Sequence, residues 1–131
     1  MVIIAVPSNK DGGLNELMNS RFGRSPSFTF VTIEEKKIIM VKAIQNPGSA
    51  GIGKAGIESA KLLKENKASV LIVDLLGPNA ANTISSMGIN VYHASSQNNE
   101  QRLYIKEIIS QYLEDKLEVL EGPNVEGHHE N

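Results

Sequence analysis

With 131 residues, 40% of them apolar and 21% charged, the chain can bury one hydrophobic core and does not have the composition of a disordered protein. Its 13 basic and 15 acidic side chains leave a net charge of -2, which argues against a general binder of nucleic acid or of anionic membranes. The lack of Cys excludes disulfides, thiolate zinc sites, Cys-ligated iron–sulfur clusters and a Cys nucleophile, and the expected location is the cytoplasm.

The first strand is expected over Val2–Val6, a run apolar on both faces, as in a strand covered by helices on each side. No basic segment precedes it and Pro7 ends it, so it does not read as a signal peptide. It and Val70–Val73 are the longest apolar runs, both far too short to cross a bilayer. The stretch Pro7–Ser27 is longer than a plain connection needs. It ends in Arg21-Phe22-Gly23-Arg24-Ser25-Pro26, where two guanidinium groups flank a glycine that lets the backbone turn or approach a ligand. A turn with solvated arginines, anchored by Phe22, accounts for the same residues.

Phe28–Ile33 and Ile38–Ile44 read as an antiparallel pair joined by the polar Glu34-Glu35-Lys36-Lys37. The segment from Asn46 to Gly56 contains a literal GxGxxG at Gly51, Gly53 and Gly56, with Asp74 further on. It fails as a dinucleotide fingerprint because Gln45–Ala50 separates the first glycine from its strand, which moreover belongs to a hairpin. It is no P-loop either, since no Gly-Lys-Ser/Thr follows. What survives is a helix start whose small residues permit close packing and whose free N–H groups can hold an anion.

The helix itself carries Ile52, Ala55, Gly56, Ser59, Ala60 and Leu63 on one stripe. A fourth strand is expected over Val70–Asp74. Gly77-Pro78-Asn79-Ala80 then supplies a turn, a first-turn proline and an amide near the strand end, or simply a capped helix start. That second helix stops at Gly88, a fifth strand covers Ile89–His93, and a third helix runs from about Asn98 to about Leu113. Residues after Leu120 are expected to form a mobile tail, in which His128, His129 and Glu130 could hold a divalent metal loosely.

Right-handed crossovers turn this order into a mixed sheet with helices on both faces. The connections Pro7–Ser27, Gln45–Ile52, Leu75–Asn79 and Ala94–Gln97 then share one edge, the carboxyl edge where open α/β sheets bind ligands. His93 closes the fifth strand there as a candidate metal ligand or a structural histidine. No nucleophile elbow or clustered carboxylates are evident and His93 has no evident partner, so no enzyme is expected.

Arg21-Phe22-Gly23-Arg24-x-Pro26-x-Phe28, the Gly48–Gly56 segment, and Gly77-Pro78-Asn79-Ala80 followed by Gly88-Ile89-x-Val91-Tyr92 together resemble the dinitrogenase iron–molybdenum cofactor biosynthesis family, over roughly residues 1–120. Even Tyr112-Leu113-x-x-Lys116-Leu117 is similar to the family's C-terminal helix ending. The resemblance implies a ribonuclease H-like, three-layer α/β/α sandwich whose five-stranded mixed sheet has the order 3-2-1-4-5, with strand 2 antiparallel. It also implies a non-catalytic binding protein whose cargo is an anionic iron–sulfur or iron–molybdenum cluster.

Where cluster carriers have His-Phe-Gly this chain has Arg21-Phe22-Gly23, and where some members have a His in the Gly-rich segment it has Gly48-Ser49-Ala50-Gly51. Both departures remove soft nitrogen ligands, although Arg still pairs with anions. Ribonuclease H-like nucleases carry an acidic residue in the first strand, which Val2–Val6 lacks. The residues expected to form the anion- or cluster-receptive edge are Arg21, Phe22, Gly23, Arg24, Asn46, Gly48, Gly51, Gly53, Gly77 and Asn79, with His93 as the metal-ligand candidate. Cluster-assembly proteins are the implied partners, and a monomer or weak dimer is expected. A nucleotide- or phosphate-sensing or protein-interaction module of the same fold is the alternative.

Overall fold

The computed structural model describes residues 1–50, 55–95, 97–98 and 101–125, with 49, 50, 55, 97, 98, 101 and 102 described by backbone alone. Strand β1 (Val2–Ser8) lies inside a sheet, paired antiparallel with β2 (Ser27–Glu34) and parallel with β4 (Val70–Val73). On one side β3 (Lys37–Gln45) completes a hairpin with β2; on the other β5 (Asn90–His93) follows β4 in parallel. The order 3-2-1-4-5 and the antiparallel second strand are thus as expected. The expected count of five is corrected: Glu118–Val119 forms a sixth strand, antiparallel to β5. Two residues with no distinctive composition carry no sequence signal; only the neighbouring edge of β5 makes them a strand.

Among the described residues three α-helices cover the sheet: α1 (Ala55–Glu65), α2 (Pro78–Ser86) and α3 (Ile105–Leu113). Because successive strand residues point to opposite faces, β1 feeds two cores. Ala5 joins Phe28, Phe30, Leu71, Val73 and Val91 under the α1 and α2 residues Ala60, Leu63, Ala81 and Ile84. Ile4 and Val6 join Val31, Val70 and Ile72 under Ile105, Ile108 and Ile109 of α3. The architecture is a three-layer α/β sandwich with a mixed sheet. The small-residue stripe of α1 serves a helix contact: a Cβ on Gly56 would stand 3.3 Å from Ala80 Cβ of α2.

Two boundaries differ from expectation. β1 continues through Pro7 to Ser8 because its pairing with β4 ends at Ala5, so no ladder on that side needs the missing proline N–H. The Pro7 carbonyl instead accepts from Asn19 N at 2.9 Å. Helix α3 begins at Ile105 rather than near Asn98. The Glu107 side chain reaches back to the helix start there, with Tyr104 N donating to Glu107 Oε1 at 3.0 Å. Upstream, Gln97–Asn98 (β6) pairs with Gln101–Arg102 (β7) in a small separate hairpin.

Candidate functional site

Since β1, β3, β4 and β5 all run in one direction, the connections that leave them gather at a single edge of the sheet. The long segment between β1 and β2 is fixed there in two halves. Its first half folds over a buried hydroxyl ladder. Ser8 Oγ and Ser27 Oγ lie 2.7 Å apart, Thr29 Oγ1 donates to Ser8 Oγ at 3.0 Å, and Gly13 N donates to Thr29 Oγ1 at 2.9 Å. All three hydroxyl residues are fully buried. Gly12, at φ +77, closes over them so tightly that a Cβ would lie 2.7 Å from Thr29 Oγ1. No apolar pattern in the sequence marks this ladder. Its only signal is the placing of Ser8, Ser27 and Thr29 at the facing ends of two strands, with a Gly pair between.

The second half forms the arginine turn. Asn19 Oδ1 accepts from Arg21 N at 2.9 Å, Ser20 O accepts from Leu75 N at 3.0 Å, and Arg21 bridges to Leu75 at the end of β4. Phe22 is buried edge-on against Phe28, ring centroids 5.4 Å apart, so the turn is anchored in the core while Arg21 and Arg24 stay exposed. Gly23 is buried, and its carbonyl accepts from Asn46 Nδ2 at 3.3 Å and from Ser59 Oγ at 3.4 Å.

Asn46 ties this turn to the start of the next segment. Its Nδ2 also donates to Ser25 O at 2.9 Å, while its Oδ1 accepts from Gly48 N and from Ser59 Oγ, each at 3.0 Å. Buried to 3% exposure, it holds the arginine turn, the short 3₁₀ turn Pro47–Ala50 and α1 together. Gly51 and Gly53 lie outside the described residues.

The β4–α2 connection supplies the third component. Gly77 is buried in extended conformation (φ -80, ψ 167) as the N-cap of α2, Pro78 follows in the first turn, and no side chain caps the helix. Asn79 is exposed. Asn124 docks here from the C-terminal segment: its Nδ2 donates to Asp74 O and its Oδ1 accepts from Leu76 N, both at 2.7 Å. These hydrogen bonds lie within the segment after Leu120, of which residues 126–131, including His128, His129 and Glu130, lie outside the described residues. His93 does have a partner, contrary to expectation: its Nε2 lies 3.4 Å from Asp74 Oδ1. His93 ends β5 and Asp74 follows the end of the neighbouring parallel β4, and the register that sets Val73 opposite His93 is revealed by no local pattern.

The structure thus attaches Arg21 to the β4–α2 connection and Gly23 to the Gly48 turn, so the arginine turn spans between the beginning of α2 and the turn preceding α1. His93 stands one strand further along. Among the described residues no group of three His, Cys, Asp or Glu side chains could hold a metal ion. No described helix is long and apolar enough to cross a membrane.

A family model described as dinitrogenase iron-molybdenum cofactor matches residues 1–115. The chain is 33% identical over 107 residues to an uncharacterized Methanocaldococcus jannaschii protein, covering 82% of this chain and 86% of that one. Among solved structures it is similar to the apo form of the orange protein from Desulfovibrio gigas. That likeness has a TM-score of 0.82 and 26% identity and covers 95% of this chain and 98% of the other. It is also similar to a Thermotoga protein provisionally described as a NifB protein, with TM-score 0.76 and 25% identity over 97% and 100% of the two chains. A match that runs through β1 to β5, all three described helices and the arginine turn makes this chain a member of the dinitrogenase iron-molybdenum cofactor family.

Proposed function

We propose that the protein is a non-catalytic carrier that receives an anionic metallocluster, iron–molybdenum cofactor or an iron–sulfur precursor, at the carboxyl edge of a ribonuclease H-like sheet. The observation that carries this reading is the arginine turn. Two exposed guanidinium groups are held on a backbone anchored by Phe22 and Asn46, between the start of α2 and the Gly48 turn. Preorganised donors need no reordering when an anion arrives, and guanidinium planes match sulfide- or oxygen-rich anionic surfaces. In this reading Arg21, Arg24 and Asn79 face the cargo. Phe22, Gly23, Asn46, Gly48 and Gly77 shape the backbone beneath them. His93 is the nitrogen ligand at the same edge.

The donor set suits cargo rather than a resident metal. Arginine binds anions without coordinating iron, no described three-ligand group exists, and a cluster brings its own sulfides. Cluster-assembly proteins are the partners such cargo requires, and a cytoplasmic location fits oxygen-sensitive cargo. Anaerobic addition of purified cluster precursor, followed by gel filtration, tests the reading. Iron should co-elute with the protein, and Arg21→Ala combined with Arg24→Ala should reduce retention most strongly at low salt, where charge pairing is least screened. Loss of retention in the parent chain, unrestored by Arg21→His, counts against cluster binding. Stabilisation by a nucleotide in thermal unfolding favours the phosphate-sensing alternative instead, worth about 2.7 kcal/mol at a hundredfold excess over Kd.

A further inference from the structure

On the face of the sheet that α3 covers, beside the start of β1, lies a hollow of about 330 Å³. It shares no residue with the arginine turn, the Gly48 turn or the β4–α2 connection. Its volume stands at the lower end of the ~300–1,000 Å³ typical of small-molecule sites. The apolar part of the lining comes from Val2 of β1, Ile33 of β2, and Leu113 and Leu117 around the end of α3. Tyr92 and Tyr112 complete that surface, both half-buried and set edge-on with ring centroids 5.2 Å apart. The face of a tyrosine ring is negative and attracts cations.

The charged part of the lining has the matching sign. Glu34, Glu35 and Asp115 bring three carboxylates against the Lys36 ammonium and the Met1 amino group, so the lining stays negative. Among the described residues none of these carboxylates is held in an ion pair. Nor do three acidic side chains converge there closely enough to hold a metal ion. Carboxylates spread around an apolar floor suit an organic cation better than a bare one. Backbone strain collects at the same place. Of the five non-glycine residues with positive φ among the described residues, three line this hollow: Glu35 (φ 52), Lys36 (φ 64) and Asp115 (φ 58). Such backbone is costly for a residue with a Cβ and clusters at ligand sites. We propose that the hollow binds a small organic cation, an ammonium group carried on an apolar or aromatic body. The body lies against Val2, Leu113 and Leu117, the charge meets the Tyr92–Tyr112 pair, and Glu35 and Asp115 are its counter-ions. Nothing at the carboxyl edge takes part, so this site stands independently of the carrier reading.

The test titrates phenethylammonium into the full chain near neutral pH, followed by calorimetry and by NMR of isotope-labelled tyrosine and valine. Signals of Val2, Tyr92 and Tyr112 should shift together and saturate. Phenethyl alcohol keeps the ring and loses the charge, and should bind about tenfold more weakly. Affinity for the ammonium should also fall as salt is added. Asp115→Asn, whose side chain tolerates left-handed backbone, and Glu35→Gln should each weaken binding about threefold. Glu65→Gln makes the same charge change at an exposed position of α1 and should bind like the parent. Tyr112→Phe should also bind like the parent, while Tyr112→Leu, which fills space without a ring, should lose about tenfold. Each variant is measured well below its own thermal midpoint, so that a fold defect is not read as lost binding. Absence of saturable shifts at millimolar probe overturns the proposal. So does equal affinity for the alcohol, or shifts confined to residues outside the hollow.

Discussion

At the scale of single residues, the side chain with the most structural consequence at the candidate edge is Asn46. It donates to Gly23 O and Ser25 O and accepts from Gly48 N and Ser59 Oγ, all in a site only 3% exposed. Truncation would strand the Gly48 N–H and the Ser25 carbonyl, whose desolvation is not recovered, while Ser59 Oγ still reaches Gly23 O. Asn46→Ala should therefore destabilise the protein by about 2–3 kcal/mol. The check is a urea titration in which the midpoint falls while the slope stays constant. Asn46 was legible as a neighbour of a glycine-rich helix start but not as a clamp, because three of its four partners come from distant parts of the chain. The same holds for His93. Its position at a strand end could be read from the apolar run before it, whereas its carboxylate partner depends on the register between β4 and β5.

At the scale of elements, the β2–β3 hairpin shows a local conflict. Its turn places Glu35 at φ 52 and Lys36 at φ 64, both in the left-handed region that costs a residue with a Cβ. Two successive positive φ values are the signature of a type I′ turn, which Asn-Gly fills without strain. Replacing Glu35 by Asn and Lys36 by Gly should raise stability by about 0.5–1 kcal/mol. A thermal or denaturant midpoint that drops instead would show that the charged turn makes contacts outweighing the strain. Beyond the turn, β3 is the outer strand of the sheet and is exposed along nearly its whole length, with Ile39 and Met40 52% and 59% exposed. Its apolar sequence reads as strand whichever face is covered, so the pattern locates the strand but not its exposure. The extra strand Glu118–Val119 and the β6–β7 hairpin are opposite cases: two-residue elements too short for any periodicity and present only because a partner strand lies alongside.

At the scale of the whole molecule, the third helix reports on pH. Tyr112 packs edge-on against Tyr92 with ring centroids 5.2 Å apart. Burial, then the neighbouring Tyr92 and Asp115, raise its pKa above the ordinary 10.0. A pKa higher in the folded than in the unfolded state gives a contribution that is complete below pH 10.0 and is lost as pH rises through the folded value. Stability should thus fall with alkalinity above about pH 10, and Tyr112→Phe, which cannot ionise, should flatten that limb in pH-dependent denaturant titrations. The five longer strands and their order, the three helices, the carboxyl edge and the position of the Arg21–Arg24 segment there were readable from the chain, because apolar periodicity, glycine and proline placement and crossover handedness are local or nearly local properties. Which side chains meet at that edge was settled by tertiary structure alone. The Ser8–Ser27–Thr29 ladder, the Asn46 clamp, the His93–Asp74 pair and the docking of Asn124 each join residues far apart in sequence, and strand register with helix packing, which no local pattern encodes, determines the distances between them.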